Sequence, residues 1–166
     1  ISFVAPGTFE ENRFEKLHNI SFESPEAGSI AVADEICELI RSKQKKNEMC
    51  VLGLATGSSP ISVYKKLIES HKKKKLSFRN VITFNLDEYF GLEKIDINSY
   101  NQFMYDNLFN HIDILPKNIH IPRSKLQSDK VINYCKDYEE KILKAGGIDL
   151  QILGIGRTGH IGFNEP

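Results

Sequence analysis

The chain has 166 residues, and its 22 Lys and Arg balance 22 Asp and Glu, so the formal net charge is zero. That balance argues against a nucleic-acid or anionic-membrane surface and against an acidic tail, and the length sets one domain as the starting expectation. A hydrophobic fraction of 40% with ten Phe and six Tyr can bury a core, whereas no apolar run approaches the roughly 18 residues that cross a bilayer.

Residues 1–23 show no clean period and read as an irregular lead-in, without the basic start and apolar run of a secretory signal. Ser24 is a candidate N-cap, Pro25 suits the first helical position and Glu26 the first turn. Ala33, Ile36, Cys37 and Ile40 then recur at helical spacing. Met49 to Ala55 is a short apolar run of the kind buried on both faces of a sheet. Thr56 to Pro60 is a turn opening a second helix, with Ile61, Tyr64, Leu67 and Ile68 on its inner stripe. The lysine run Lys72 to Lys75 suits that helix's solvated end. Val81 to Leu86 is a second buried-type strand ending at Asp87-Glu88.

Ser99 caps a helix carrying Tyr100, Phe103, Met104, Leu108 and Phe109, and Ile119 to Ile121 is extended. Asp129 starts a helix through Lys144, with Val131, Ile132, Cys135, Tyr138 and Ile142 apolar, and Gly146-Gly147 stops it. Asp149 to Leu153 is a further strand, leading into a glycine-rich segment from Gly154. The three cysteines, Cys37, Cys50 and Cys135, are distant and odd in number. They make neither a disulfide framework nor a metal-ligand spacing, and a reduced, cytoplasmic compartment follows as the expectation.

Alternating strands and helices with short loops predict a mainly parallel, Rossmann-like α/β sheet with helices on both faces. Ligands of such sheets bind beyond the carboxyl ends of the strands, so three polar strand ends should meet in one crevice. The first is Thr56-Gly57-Ser58-Ser59, which offers hydroxyls, amide N–H groups and a helix N-terminus. Anion binding and plain N-capping are both open readings of it. The second is Asp87-Glu88, where two adjacent acids raise one another's pKa. That pair could supply a proton-abstracting base, bind a metal or cap the next turn. The third is Gly154 to Pro166, where Gly156 and Gly159 permit close backbone approach and His160 stands five residues before Glu165. A proton shuttle with an orienting carboxylate is one use of that pair. His18, His71, His111 and His120 lack such company and read as surface or packing residues. No nucleophile elbow is present, and no defined metal-ligand set surrounds His160.

The phrases LGLATGSSP (Leu52 to Pro60), VITFNLDEYFGL (Val81 to Leu92), the segment Ser99 to Pro122, and GIGRTGHIGFNEP (Gly154 to Pro166) resemble glucosamine-6-phosphate deaminase. The resemblance runs in order from Ser24 to Pro166. It implies a NagB/ribose-5-phosphate isomerase-like fold, conversion of glucosamine 6-phosphate and water to fructose 6-phosphate and ammonia, and a place in amino-sugar catabolism. No organic cofactor and no metal are implied, and the partner is a small sugar phosphate, with homo-oligomers compatible. At matching positions Asp87 corresponds to the enolisation base, His160 to the ring-opening residue, Glu165 to its supporting acid, and Thr56 to Ser59 to the phosphate turn. Glu88, Gly156 and Gly159 belong to the same ligand-contacting motifs.

Thr158 stands where many members of that family carry an acid, so it can orient His160 by a hydrogen bond but not stabilise imidazolium by charge. A lactone-hydrolysing relative, 6-phosphogluconolactonase, and a non-catalytic sugar-phosphate sensor are the alternatives. The resemblance also implies a longer chain, in which residues 24–166 form the front part of the domain and release little ammonia by themselves.

Overall fold

The structure, a computed structural model, describes residues 19–165, so most of the lead-in expected over 1–23, together with His18 and Pro166, lies outside the described residues. Helix α1 (Pro25–Lys45) starts as its sequence predicts, with the Ser24 hydroxyl accepting from the Ala27 N–H at 3.2 Å. Ala33, Ile36, Cys37 and Ile40 form its buried stripe. Strand β1 (Cys50–Leu54) is buried along its whole length, and α2 (Ser59–Lys72) packs back against α1. Within α2 the buried set is Pro60, Val63, Tyr64 and Leu67. Val63 thus takes the place expected of Ile61, which is only half-buried.

Strand β2 (Val81–Asn85) pairs with β1, Cys50 opposite Val81 and Leu54 opposite Asn85. Helix α3 (Tyr100–Asn107) begins at the predicted cap, Ser99, and Phe109 falls in a separate 3₁₀ turn, Phe109–His111. Strand β3 (Ile119–His120), helix α4 (Val131–Lys144) and strand β4 (Leu150–Gln151) complete the described chain. The sheet order is β3-β2-β1-β4, parallel throughout. Order reverses at β1, whose neighbours lie on opposite sides, and a crevice opens at such a switch point.

Alternation along the strands divides the faces. Cys50, Leu52, Leu54 and Val81 face the main core with residues of α1, α2 and α3. Phe84 turns the other way and meets Tyr138 of α4 edge-on, ring centroids 5.7 Å apart. The Tyr138 hydroxyl lies 3.0 Å from both the Asn85 and His120 carbonyls, tying α4 to β2 and β3.

Two expectations need correction. Of the apolar residues expected along α4, Val131, Tyr138 and Ile142 are half-buried, whereas Ile132 is 70% exposed and Cys135 is exposed, and the helix meets the sheet through Tyr138. The last strand, expected over Asp149 to Leu153, pairs only at Leu150–Gln151. Backbone bonds to β1 nevertheless flank that pair, the Asp149 N–H donating to the Val51 carbonyl at 2.8 Å and the Ile152 N–H to the Gly53 carbonyl at 2.9 Å, and the Asp149 side chain adds to them. One carboxylate oxygen accepts from the Val51 N–H at 2.9 Å and the other pairs with Lys43 at 2.7 Å, pinning β4 to β1 and to the end of α1.

Candidate functional site

The turn after β1 is held from below. The buried Tyr64 hydroxyl donates to the Ala55 carbonyl at 2.5 Å, so helix α2 anchors the loop it follows. Gly57, at φ 98°, bends the chain where a side chain would be strained. Ser58 is the N-cap of α2, yet its side chain makes no cap hydrogen bond. Gly57, Ser58 and Ser59 are exposed. Plain capping by the Ser58 side chain is therefore not what this turn does, and Thr56 to Ser59 line a cavity at the positive end of α2.

Asp87 and Glu88 diverge although they are adjacent. Glu88 accepts from the Tyr89 and Tyr100 N–H groups on one oxygen (2.9 and 2.8 Å) and from the Ser99 hydroxyl and Asn101 N–H on the other (both 2.8 Å). Four donors fill the carboxylate, so Glu88 caps α3 and lies outside the lining of the crevice. Asp87 has no hydrogen-bond donor among the described residues and is half-buried. Burial raises its carboxyl above the ordinary range, and the Glu88 charge adds to the rise.

The glycine-rich segment folds as a tight loop in which the Gly156 N–H donates to the His160 carbonyl at 2.8 Å and the Gly159 N–H to the Gly156 carbonyl at 3.0 Å. The imidazole of His160 lies directly over Gly156: a Cβ there would sit 2.0 Å from Cε1. Gly162, at φ 61°, brings its backbone against Asp87, where a Cβ would fall 3.0 Å from Oδ2. His160 Nδ1 is 2.9 Å from the Thr158 hydroxyl, which lies 3.4 Å from Glu165 Oε2, while Nδ1 to Glu165 Oε1 is 3.9 Å. A hydroxyl has one proton. When that proton goes to Glu165, Thr158 accepts from Nδ1–H, the arrangement in which Nε2 faces away from Thr158 with its lone pair.

The three strand ends meet. A cavity of about 280 Å³ is lined by Thr56, Gly57, Ser58 and Ser59 from the first, Asp87 from the second, and Gly156, His160 and Gly162 from the third. Thr158, Gly159 and Glu165 stand outside that lining. Tyr100 lines it as well and was legible only as a core residue of α3. Burial and then the neighbouring Tyr89 push its phenol up to about 12, against an opposing pull from Thr56. The rings of Tyr100 and Phe163 stack at 5.9 Å, and Tyr89 touches both, at 4.9 and 5.2 Å. This cluster clamps the histidine loop to the start of α3. His71 and His111 bond backbone carbonyls of Leu76 and Asp106, and His120 stacks on Phe84, all outside the crevice lining.

A parallel sheet with functional strand ends at its switch point defines an open α/β ligand-binding domain. Within that class, the chain belongs to the family of glucosamine-6-phosphate isomerases and 6-phosphogluconolactonases, whose family model matches residues 23–162. It is 52% identical over 135 residues to a glucosamine-6-phosphate deaminase of Thermoanaerobacter sp. (strain X514), covering 81% of this chain and 53% of that protein. A solved monomeric glucosamine-6-phosphate deaminase of the NagB superfamily superposes with a TM-score of 0.80 at 43% identity, over 87% of this chain and 58% of that one. The 6-phosphogluconolactonase of Thermotoga maritima superposes at 0.61 with 27% identity, over 79% and 59%. The chain thus spans about half the length of the relatives it matches. No helix among the described residues is long and apolar enough to cross a membrane.

Proposed function

We propose that the chain carries the proton-transfer half of a glucosamine-6-phosphate deaminase site, in which an amino-sugar phosphate is opened, isomerised and hydrolysed to a ketose phosphate and ammonia. The observation that carries this reading is the convergence of Asp87, His160 and the uncapped Thr56–Ser59 turn on one cavity. The phosphate sits on the turn's hydroxyls and N–H groups, against the positive end of α2. His160, with Nδ1 held by Thr158, takes the proton of the anomeric hydroxyl at Nε2 and delivers it to the ring oxygen as the C1–O5 bond breaks, giving the open-chain aldehyde. Thr158, between His160 and Glu165, orients the imidazole by its hydrogen bond.

Asp87 then removes the proton from C2 and returns it at C1. A carboxyl raised by burial suits that task because it must both accept and release a proton. The 2-imine formed adds water and releases ammonia, so the net reaction is a hydrolytic deamination. A cytoplasmic setting accords with three cysteines that are all free thiols.

In the intact protein, Asp87→Asn lowers kcat for ammonia release from glucosamine 6-phosphate by about 10²–10⁴ with little change in KM. Unchanged turnover in that variant overturns the reading. The family's lactonase branch is the second reading, and lactone hydrolysis exceeding ammonia release in parallel assays would favour it. Binding of the amino-sugar phosphate with neither product would favour the sensor.

A further inference from the structure

A second cavity, of about 240 Å³, lies beyond the carboxyl end of β3, between α3 and α4, and shares no lining residue with the crevice. Its charge is one-sided. Lys94, Arg123 and Lys141 line it, and none of them forms an ion pair among the described residues. Glu88, the one carboxylate of the lining, is already filled by its four donors. Three cations against one carboxylate leave a net charge of +2.

The neutral groups are equally directed. The side-chain amide of Asn101 and the hydroxyl of Tyr105 line the same space and have no hydrogen-bond partner among the described residues. Arg123 is held over the Tyr134 ring, 5.8 Å from its centroid, so its guanidinium is stacked rather than loose in solvent. Burial, and then the Lys141 charge, push the imidazole of His120 below its ordinary range.

We propose that this cavity is a second, non-catalytic site for a small phosphate monoester, held by Lys94, Arg123 and Lys141 with Asn101 and Tyr105 as neutral donors. A phosphate monoester carries close to two negative charges at neutral pH, which matches the net charge of the lining. Guanidinium and ammonium groups are the donors that such an oxyanion takes. The volume, about 240 Å³, is below the roughly 300 Å³ at which drug-sized ligand pockets begin and so suits only a small monoester.

The test is calorimetric titration of the intact protein with inorganic phosphate. The wild type is expected to show two classes of site. In Lys94→Ala/Arg123→Ala/Lys141→Ala one class weakens about tenfold or more, while the melting temperature and the class belonging to the Thr56–Ser59 turn are retained. Removing the same charge from the lysine run, with Lys72→Ala/Lys74→Ala/Lys75→Ala, leaves both classes intact. The proposal is overturned if the wild type binds a single phosphate that is lost in Ser58→Ala/Ser59→Ala, if the cavity variant keeps both classes, or if the lysine-run variant loses as much as the cavity variant.

Discussion

Replacing Gly156 by Ala isolates the placement of His160 from everything else in the fold. A Cβ at residue 156 would stand 2.0 Å from Cε1, 2.2 Å from Nε2 and 2.4 Å from Nδ1, whereas ordinary contact begins at 3.4 Å. The imidazole must therefore retreat by more than about 1 Å, and its 2.9 Å contact with Thr158 breaks. The backbone at Gly156 is not left-handed, so Ala adopts it without strain, and the loop hydrogen bonds through its N–H and carbonyl survive. A displacement of about 1 Å in a catalytic group costs on the order of 10²-fold, or about 2.7 kcal/mol of transition-state stabilisation. In the intact protein, kcat for ammonia release should fall by about that factor. KM should change little, because the phosphate turn is untouched, and the melting temperature should stay within about 2 °C. A kcat within about threefold of wild type, at unchanged stability, would refute the claim that His160 acts from the position seen over Gly156.

Two further outcomes concern the scaffold. Gly53→Ala puts a Cβ 1.9 Å from the Gln151 side-chain oxygen, inside fully buried β1. It should destabilise by about 1–3 kcal/mol, read as a melting point lower by several degrees and partly restored by adding Gln151→Ala; an unshifted melting point would sink this account of how β4 docks. At Asp113 and Asp149 burial opposes ionisation, but other contacts outweigh it and hold both carboxyls below their ordinary range. For Asp113 these are hydrogen bonds from Phe78 and Ser77 with the His71 charge, and for Asp149 those from Lys43 and Val51. A folded pKa below the unfolded value of about 3.9 stabilises fully above that value, and the contribution is lost as pH falls through the folded pKa. The raised Asp87 acts in the opposite sense. Urea midpoints should hold from pH 7 to about 5 and drop below about 4, less steeply in Asp149→Asn; a midpoint that rises below pH 4 contradicts the assignment.

Local signals were read correctly where one residue does one job within a few positions. Ser24, Pro25 and the stripe from Ala33 to Ile40 define α1 because capping and helical period act inside a single element. The apolar run of β1 announces a strand covered on both faces. Helix α4 was legible only in part because, of its apolar residues, Tyr138 holds it to the sheet while Ile132 stays exposed. The Asp87-Glu88 pair left its division of labour open. Asp87 faces the crevice, and only the approach of Ser99, Tyr100 and Asn101, eleven to thirteen residues later, turns the second acid into a cap. Tyr100 was legible as core but not as a wall of the site, since its contacts with Thr56, Tyr89 and Phe163 come from three other segments.

The amino-acid sequence by itself determined the alternation of strands and helices, the three polar strand ends and, through their wording, the family. Those properties reside in short stretches whose spacing and capping are covalently set. Only the tertiary structure decided which adjacent acid faces the crevice, that Thr158 stands between His160 and Glu165, and that three cations distant in sequence, Lys94, Arg123 and Lys141, ring one cavity. Orientation and proximity across the sheet depend on how the strands pair and which faces the helices cover, and no window of the sequence contains both partners.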